Sequence, residues 1–319
     1  MIKRTFWIRS SDQPWLALQL RAVMPEERSP RAVLLLHGTT LCGYIFDLRV
    51  AGPSLQERLA VRGWASYALD ARGFGGSVWP TPGDPGFDEE RPFARAADVI
   101  ADVTDTVHFL REERGHPHLA LVGFSWGANL AGLFAAADTG TIDRLGLYAP
   151  IYATPNPAWI RRLCDPRNPA AFNPAFGAYR STSEDELRAR WDSDIPVPDK
   201  ERWRAEESFQ AVIRGALEND PLSFSQTPPA FRTPNGPFAD LFSAFTGQAA
   251  FEAAAIRVPA LIVRGDADTT STDADARRLL HDLGSSDKRY QTIASSSHFL
   301  PFERSAPSLN AAFEEFLET

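Results

Sequence analysis

In the stretch Leu119-Ala120-Leu121-Val122-Gly123-Phe124-Ser125-Trp126-Gly127, four apolar residues lead into the pattern G-x-S-x-G. Such a run reads as a strand buried on both faces, as parallel sheets require. Trp126 to Ala137 follows as a helix of small residues. Ser125 therefore stands on a turn from strand to helix, the context in which this pattern presents a nucleophile. The turn demands strained backbone angles at the serine. Glycines two residues to either side let neighbouring backbone pass without a Cβ clash. The helix N-terminus behind Ser125 offers free N–H groups and a positive dipole end to a developing oxyanion. The plain alternative is an ordinary serine in a βα turn; the strand–turn–helix context favours the nucleophile.

The same alternation extends in both directions. Upstream, residues 5–9 and 15–23 read as an antiparallel pair broken at Gln13-Pro14, and Ala32 to Leu36 as a buried strand ending in His37-Gly38. Residues 53–62 have helical spacing, 64–69 form the next strand, and 95–113 a long amphipathic helix. Downstream, Leu145 to Tyr148 and Pro259 to Gly265 read as strands. A helix over 273–283, a strand over 289–293 and a terminal helix over 307–317 follow. This order predicts an α/β fold, a mostly parallel central sheet with helices on both faces.

The alternation stops between residues 151 and 250. That segment is dense in proline and carries thirteen scattered aromatics, from Tyr152 to Phe245, with helical patches at 183–190 and 202–217. It reads as an insertion between two sheet strands, so residues 1–150 and 251–319 form the core and 151–250 an inserted, mainly helical cap. Most of its aromatics are expected in the cap's own core and about a quarter in a pocket. The charged run Ser183–Arg190 is expected to be a solvated helix face.

A serine nucleophile needs a base and an orienting acid. Of the six histidines, His108 and His281 lie in helices, His116 and His118 precede the strand that leads to Ser125, and His37 ends the earlier strand. His298 alone follows a predicted last strand, on the sheet edge where open α/β sheets bind ligands. It is the candidate base. The acid should lie between nucleophile and base in chain order. Asp266 and Asp268, in Gly265-Asp266-Ala267-Asp268, both qualify, and spacing does not choose between them. In His37-Gly38-Thr39-Thr40, the Thr39 amide is the candidate oxyanion donor opposite the Trp126 amide. His37 is expected to brace that loop, with Gly38 as its turn.

Bulk properties bound the function. Of 319 residues, 44% are hydrophobic and 23% charged, which fits a globular protein. The net charge of −8 argues against a general nucleic-acid or anionic-membrane surface, which needs a basic stripe. No apolar run reaches the ~18 residues of a membrane span, and Met1 to Trp7 has no apolar segment behind it of the kind a secretion signal carries. A cytoplasmic protein with a small-molecule substrate is expected, without nucleic-acid or membrane partners. The two cysteines, Cys42 and Cys164, form no metal motif and are expected to be reduced thiols.

Taken together, these residues resemble the α/β-hydrolase superfamily over nearly the whole chain. The matching elements are His37-Gly38, the Asp70-Ala71-Arg72-Gly73-Phe74-Gly75-Gly76-Ser77 segment, the turn around Ser125, Gly265-x-x-Asp268 and His298. The D-x-R-G-x-G-x-S pattern is similar to that of lid-bearing esterases, lactonases, epoxide hydrolases and dehalogenases. The resemblance implies that Asp268, not Asp266, is the acid. It also implies two-step acyl transfer without metal or organic cofactor. Serine at position 125, where dehalogenases and epoxide hydrolases of this family carry aspartate, disfavours their chemistry. The loop at His37 differs from the H-G-G-P-G of proline iminopeptidases and from the HGGG of other esterases. The expected activity is hydrolysis of an ester, lactone or thioester of a partly apolar substrate. The alternatives are a carbon–carbon bond hydrolase, an amidase or peptidase, in which Glu206-Glu207 would bind an amine, and a binding protein on a hydrolase scaffold.

Overall fold

A computed structural model describes residues 1–138 and 140–319. β1 (Ile2–Arg9) and β2 (Ala17–Met24) pair antiparallel, Ile2 opposite Met24 and Arg9 opposite Ala17. β3 (Arg31–Leu36), α1 (Leu55–Val61), β4 (Ala65–Leu69), α2 (Ala96–His108), β5 (His118–Phe124), α3 (Trp126–Ala137) and β6 (Arg144–Tyr148) follow. After the insertion come β11 (Ala260–Gly265), α8 (Asp273–Asp282), β12 (Lys288–Ile293) and α9 (Ala306–Glu318). These strands form one eight-stranded sheet in the order β1-β2-β4-β3-β5-β6-β11-β12. From β4 to β12 every neighbouring pair is parallel.

Burial follows the period of two that a strand imposes. In β3, Val33 and Leu35 join Leu55, Leu59 and Phe313 on one face of the sheet, under α1 and α9. Ala32, Leu34 and Leu36 join Val99, Val103 and Leu130 on the other, under α2 and α3. β5 and β11 alternate in the same way. Both faces are apolar, which is why these strands read as unbroken apolar runs.

Helix ends follow local chemistry. α1 opens on a capping box, in which Ser54 Oγ accepts from the Glu57 amide and Glu57 accepts from the Ser54 amide. The long helix expected through Glu113 keeps α geometry only to His108. Its last turn widens to π geometry, with Arg114 N donating to Phe109 O (2.9 Å), before Gly115 turns the chain at φ +69°.

β6 and β11 are sheet neighbours, and the chain between them makes an excursion of its own. It contains α4 (Pro157–Leu163), β7 (Cys164–Asp165), β8 (Asn168–Phe172), β9 (Tyr179–Ser183), α5 (Glu184–Asp194), α6 (Glu206–Glu218), β10 (Ala230–Pro234) and α7 (Gly236–Phe245). Helices predominate. Two antiparallel ribbons, β7–β8 and β9–β10, add strands that the sequence reading lacks. Their residues are largely exposed or half-buried in β8 and β9, so neither carries the apolar run that marks a core strand. No helix among the described residues is long and apolar enough to cross a membrane. Both cysteines are free.

Candidate active site

Parallel pairing places the C-terminal ends of β3, β5, β6, β11 and β12 along one edge, and the loops leaving that edge bring the predicted residues together. Ser125 has φ +56° and ψ −117°, a left-side backbone that a non-glycine residue adopts only under constraint. The constraint is visible in the flanking glycines. A Cβ on Gly123 would lie 2.1 Å from Gly127 O, and one on Gly127 would lie 2.2 Å from Leu36 O. Only hydrogen at both positions lets β5, the turn and β3 approach this closely. The Ser125 amide donates to Tyr148 O (2.8 Å), tying the turn to β6.

His298 Nε2 lies 3.0 Å from Ser125 Oγ, and its Nδ1 lies 2.8 Å from Asp268 Oδ2. A carboxylate only accepts, so Nδ1 carries the proton and Nε2 is free to accept from the serine. Asp268 is buried, and its other oxygen accepts from the Thr270 and Ser271 amides (2.8 and 2.9 Å). Asp266 is exposed and accepts instead from the Ser296 amide (3.0 Å). The two aspartates of the Gly265-x-x-Asp268 turn thus face different partners, and only Asp268 meets the histidine.

The His298 loop is held from three sides. Tyr148 OH donates to His298 O (2.9 Å). The buried Glu303 carboxylate accepts from Ser297 N (2.9 Å), Ser297 Oγ (2.6 Å) and Trp191 Nε1 (3.0 Å). Gly265 lies so close beneath that a Cβ there would sit 2.4 Å from Ser296 O. Burial raises the Glu303 pKa, and these donors oppose the rise.

Trp126 follows Ser125 in the chain and Thr39 lines the same cavity, and neither amide donates to a backbone acceptor among the described residues. Gly38 packs on the nucleophile: a Cβ there would lie 3.3 Å from Ser125 Cβ. His37 is buried and braces the loop. Its Nε2 accepts from the Ala71 amide (3.2 Å), so the proton sits on Nδ1, which donates to Gly38 O (2.8 Å). Burial lowers its pKa, which keeps it neutral. Of the other histidines, His108, His118 and His281 are exposed, and His116 is buried between Tyr67 OH and Ser29 O.

The Asp70–Ser77 segment is structural. Asp70 is buried and accepts from Gly43 N (2.7 Å), Gly76 N (3.0 Å) and Arg21 Nη2 (2.8 Å). Arg72 is buried against Asp102 and Asp12.

A cavity of about 540 Å³ opens over Ser125. Its floor is Gly38, Thr39, Ser125, Tyr148 and His298; its roof comes from the insertion. Of the thirteen insertion aromatics only Trp159 and Phe238 line it, fewer than the quarter expected. The others pack within the insertion or against the core, as Trp191 does on Phe299 (4.9 Å between centroids), and Phe224 is exposed. The charged run expected to be solvated also has an inner face, with Leu187, Ala189 and Arg190 at the cavity. Glu206-Glu207 does not reach it. Glu206 is taken up by Arg188 (2.7 Å) and Arg204 (2.9 Å).

Sequence reasoning missed three residues here. Arg180 lines the cavity and holds Thr39 O (2.7 Å); Asp240 accepts from Trp126 Nε1 (3.1 Å); Glu303 anchors the His298 loop. Arg180 and Asp240 sit in the insertion and Glu303 directly after a short helical turn, and none lies in a recognisable motif.

The parallel sheet, the strained serine between β5 and α3, and the cap-like excursion after β6 define an α/β-hydrolase. More narrowly, the chain belongs to the serine aminopeptidase S33 family, whose model matches residues 30–305. Similar solved structures share the fold at low identity. An esterase from Exiguobacterium antarcticum is 14% identical (TM-score 0.66), over 98% of this chain and 99% of that one. A hydrolase from Pseudomonas aeruginosa PA01 is 19% identical (TM-score 0.66), over 99% of both chains. The enol-lactonase from Burkholderia xenovorans LB400 is 16% identical (TM-score 0.65), over 98% of this chain and all of that one. A comparison with curated protein sequences finds no significant match.

Proposed function

We propose that the protein is a serine hydrolase that cleaves a carboxylic ester, lactone or thioester, with Ser125 as nucleophile, His298 as base and Asp268 as its orienting acid. The observation that carries this reading is the continuous hydrogen-bonded array from Ser125 Oγ through His298 to Asp268, beneath a largely apolar cavity. Ser125 Oγ attacks the substrate carbonyl while its proton passes to His298 Nε2. The Thr39 and Trp126 amides receive the oxyanion. His298 then protonates the leaving oxygen or sulfur as the carbonyl–leaving-group bond breaks. A water, deprotonated by His298, attacks the acyl-serine and releases the acid and Ser125.

The insertion over residues 151–250 acts as a lid that shapes the pocket and excludes water, which strengthens the oxyanion's hydrogen bonds. An aminopeptidase activity, which the family name raises, is disfavoured by charge. An α-ammonium needs an unpaired acid. Glu206 is already paired, and the cavity is lined by Arg162, Arg180 and Arg190 against a single Glu186.

A fluorophosphonate probe should label the protein at Ser125, and Ser125→Ala should abolish both labelling and ester turnover. Labelling that persists in Ser125→Ala, or more than about a tenth of the wild-type kcat, would overturn the assignment, because loss of a nucleophile costs orders of magnitude.

A further inference from the structure

Arg180 is a cation at the cavity without an acid partner. It projects from β9 of the insertion and donates to Thr39 O (2.7 Å), Thr40 Oγ1 (3.4 Å), Pro234 O (2.8 Å) and Asn235 Oδ1 (3.2 Å). Every one of these acceptors is neutral. Its guanidinium also stacks on the Phe238 ring at 3.7 Å. No carboxylate among the described residues forms an ion pair with it. Glu186, the one acid that lines the cavity, accepts instead from Ser183 N (2.7 Å) at the start of its own helix. Burial without a counter-charge pulls the Arg180 pKa down to about 9, still a cation at neutral pH. A buried charge is costly unless it is paired, and a neutral donor could hold the same four oxygens without that cost. Arg162, at the cavity's rim over Trp159 (4.8 Å), is a second arginine without an ion pair among the described residues. Among the residues that line the cavity, Arg162, Arg180 and Arg190 outnumber the one acid, Glu186, in a chain whose net charge is −8.

We propose that the substrate carries a carboxylate, which Arg180 binds while the scissile carbonyl sits on Ser125. Through Thr39, Arg180 is one peptide away from Gly38, whose Cα packs on the nucleophile. The anionic group thus belongs close to the reacting carbonyl, on a compact substrate. The four acceptors leave one guanidinium N–H, on Nε, and the longest contact, to Thr40 Oγ1 (3.4 Å) at the cavity wall, is the one a carboxylate displaces to gain a charge-assisted bond. The inference rests on the hydrolase reading above and specifies its substrate class.

The test uses two pairs of esters. One pair places the charge on the acyl side: the mono-p-nitrophenyl ester of adipic acid against its methyl-capped neutral diester. The other places it on the leaving group: 4-acetoxybenzoate against methyl 4-acetoxybenzoate. Wild-type protein should favour the anionic member of at least one pair in kcat/KM. Arg180→Gln should cut that preference by about tenfold or more, through KM, as expected when one member of a charge-assisted pair is removed. Arg180→Lys should retain part of it.

Turnover of the neutral esters without preference in either pair would overturn the proposal and leave the hydrolase reading intact. Equal losses on both members in Arg180→Gln would also overturn it, since Arg180 would then only tie the insertion to the Thr39 loop. If no ester turns over and the fluorophosphonate probe does not label Ser125, the hydrolase reading fails. Calorimetric binding of adipate then decides separately: binding that Arg180→Gln abolishes supports the carboxylate site, and no binding to wild type refutes it.

Discussion

At the residue scale, a side chain's role is set by which neighbour it meets. Asp266 and Asp268 are two residues apart, yet one accepts from a turn amide in solvent and the other from His298 under cover. Their spacing held no information on this, and the family resemblance did. Asp268→Asn should lower kcat by roughly 10³–10⁴-fold, because an amide no longer fixes the tautomer that leaves Nε2 free. Asp266→Asn should stay within about threefold, as surface substitutions do. Steady-state kinetics on one activated ester decides it, and the reverse order would make Asp266 the acid. Glu303 yields a prediction in pH. Its folded pKa is raised by burial, so its contribution to stability is greatest at acid pH and is lost as pH rises through that pKa. Glu303→Gln cannot titrate. Its melting temperature should therefore lie further below wild type at pH 4 than at pH 8; a gap independent of pH would contradict this. Neither Glu303 nor Arg180 was legible in the sequence. Each is a lone charged residue whose surroundings come from distant segments, and a lone charge reads as solvated.

At the element scale, the strands and helices of the core were legible, since two-faced burial writes itself as apolar runs and helix–sheet packing as a 3.6 period. The ribbons of the insertion were not, because half-buried strands carry no such run. One helix end also depends on a partner far away in sequence. Arg95, the residue before α2, makes no side-chain cap, and the vacant place is taken by Asp240 of α7, which accepts from Ala96 N (2.7 Å). The same carboxylate binds Arg95 and Trp126 Nε1 (3.1 Å). Asp240→Ala should cost about 2 kcal/mol, the sum of a lost cap and a buried indole left unsatisfied. It should also lower kcat, because Trp126 carries the candidate oxyanion amide. Urea unfolding should show a lower midpoint at unchanged slope. A variant as stable as wild type would show that solvent replaces the cap.

At the scale of the whole molecule, the cavity exists only because core and insertion meet. Acyl chains that fill it should be better substrates. Along p-nitrophenyl acetate, butyrate and hexanoate, kcat/KM should rise by about tenfold or more in total, given ~0.8 kcal/mol per buried CH₂. Trp159→Ala should flatten that rise, since it removes a large apolar wall of the cavity. A flat profile in the wild type would place the insertion outside specificity.

The insertion touches the core at the loops that carry Thr39, Ser125 and His298. Arg180 grips the loop after β3, Asp240 the indole behind Ser125, and Trp191 the Phe299 ring and the Glu303 carboxylate that follow His298. Such a roof is not interchangeable. A foreign lid grafted between Tyr148 and Ala260 would arrive without these three fasteners, and the chimera would lose rate along with selectivity. Specificity in this chain should therefore be more easily altered by point changes inside the existing roof than by exchange of the roof itself.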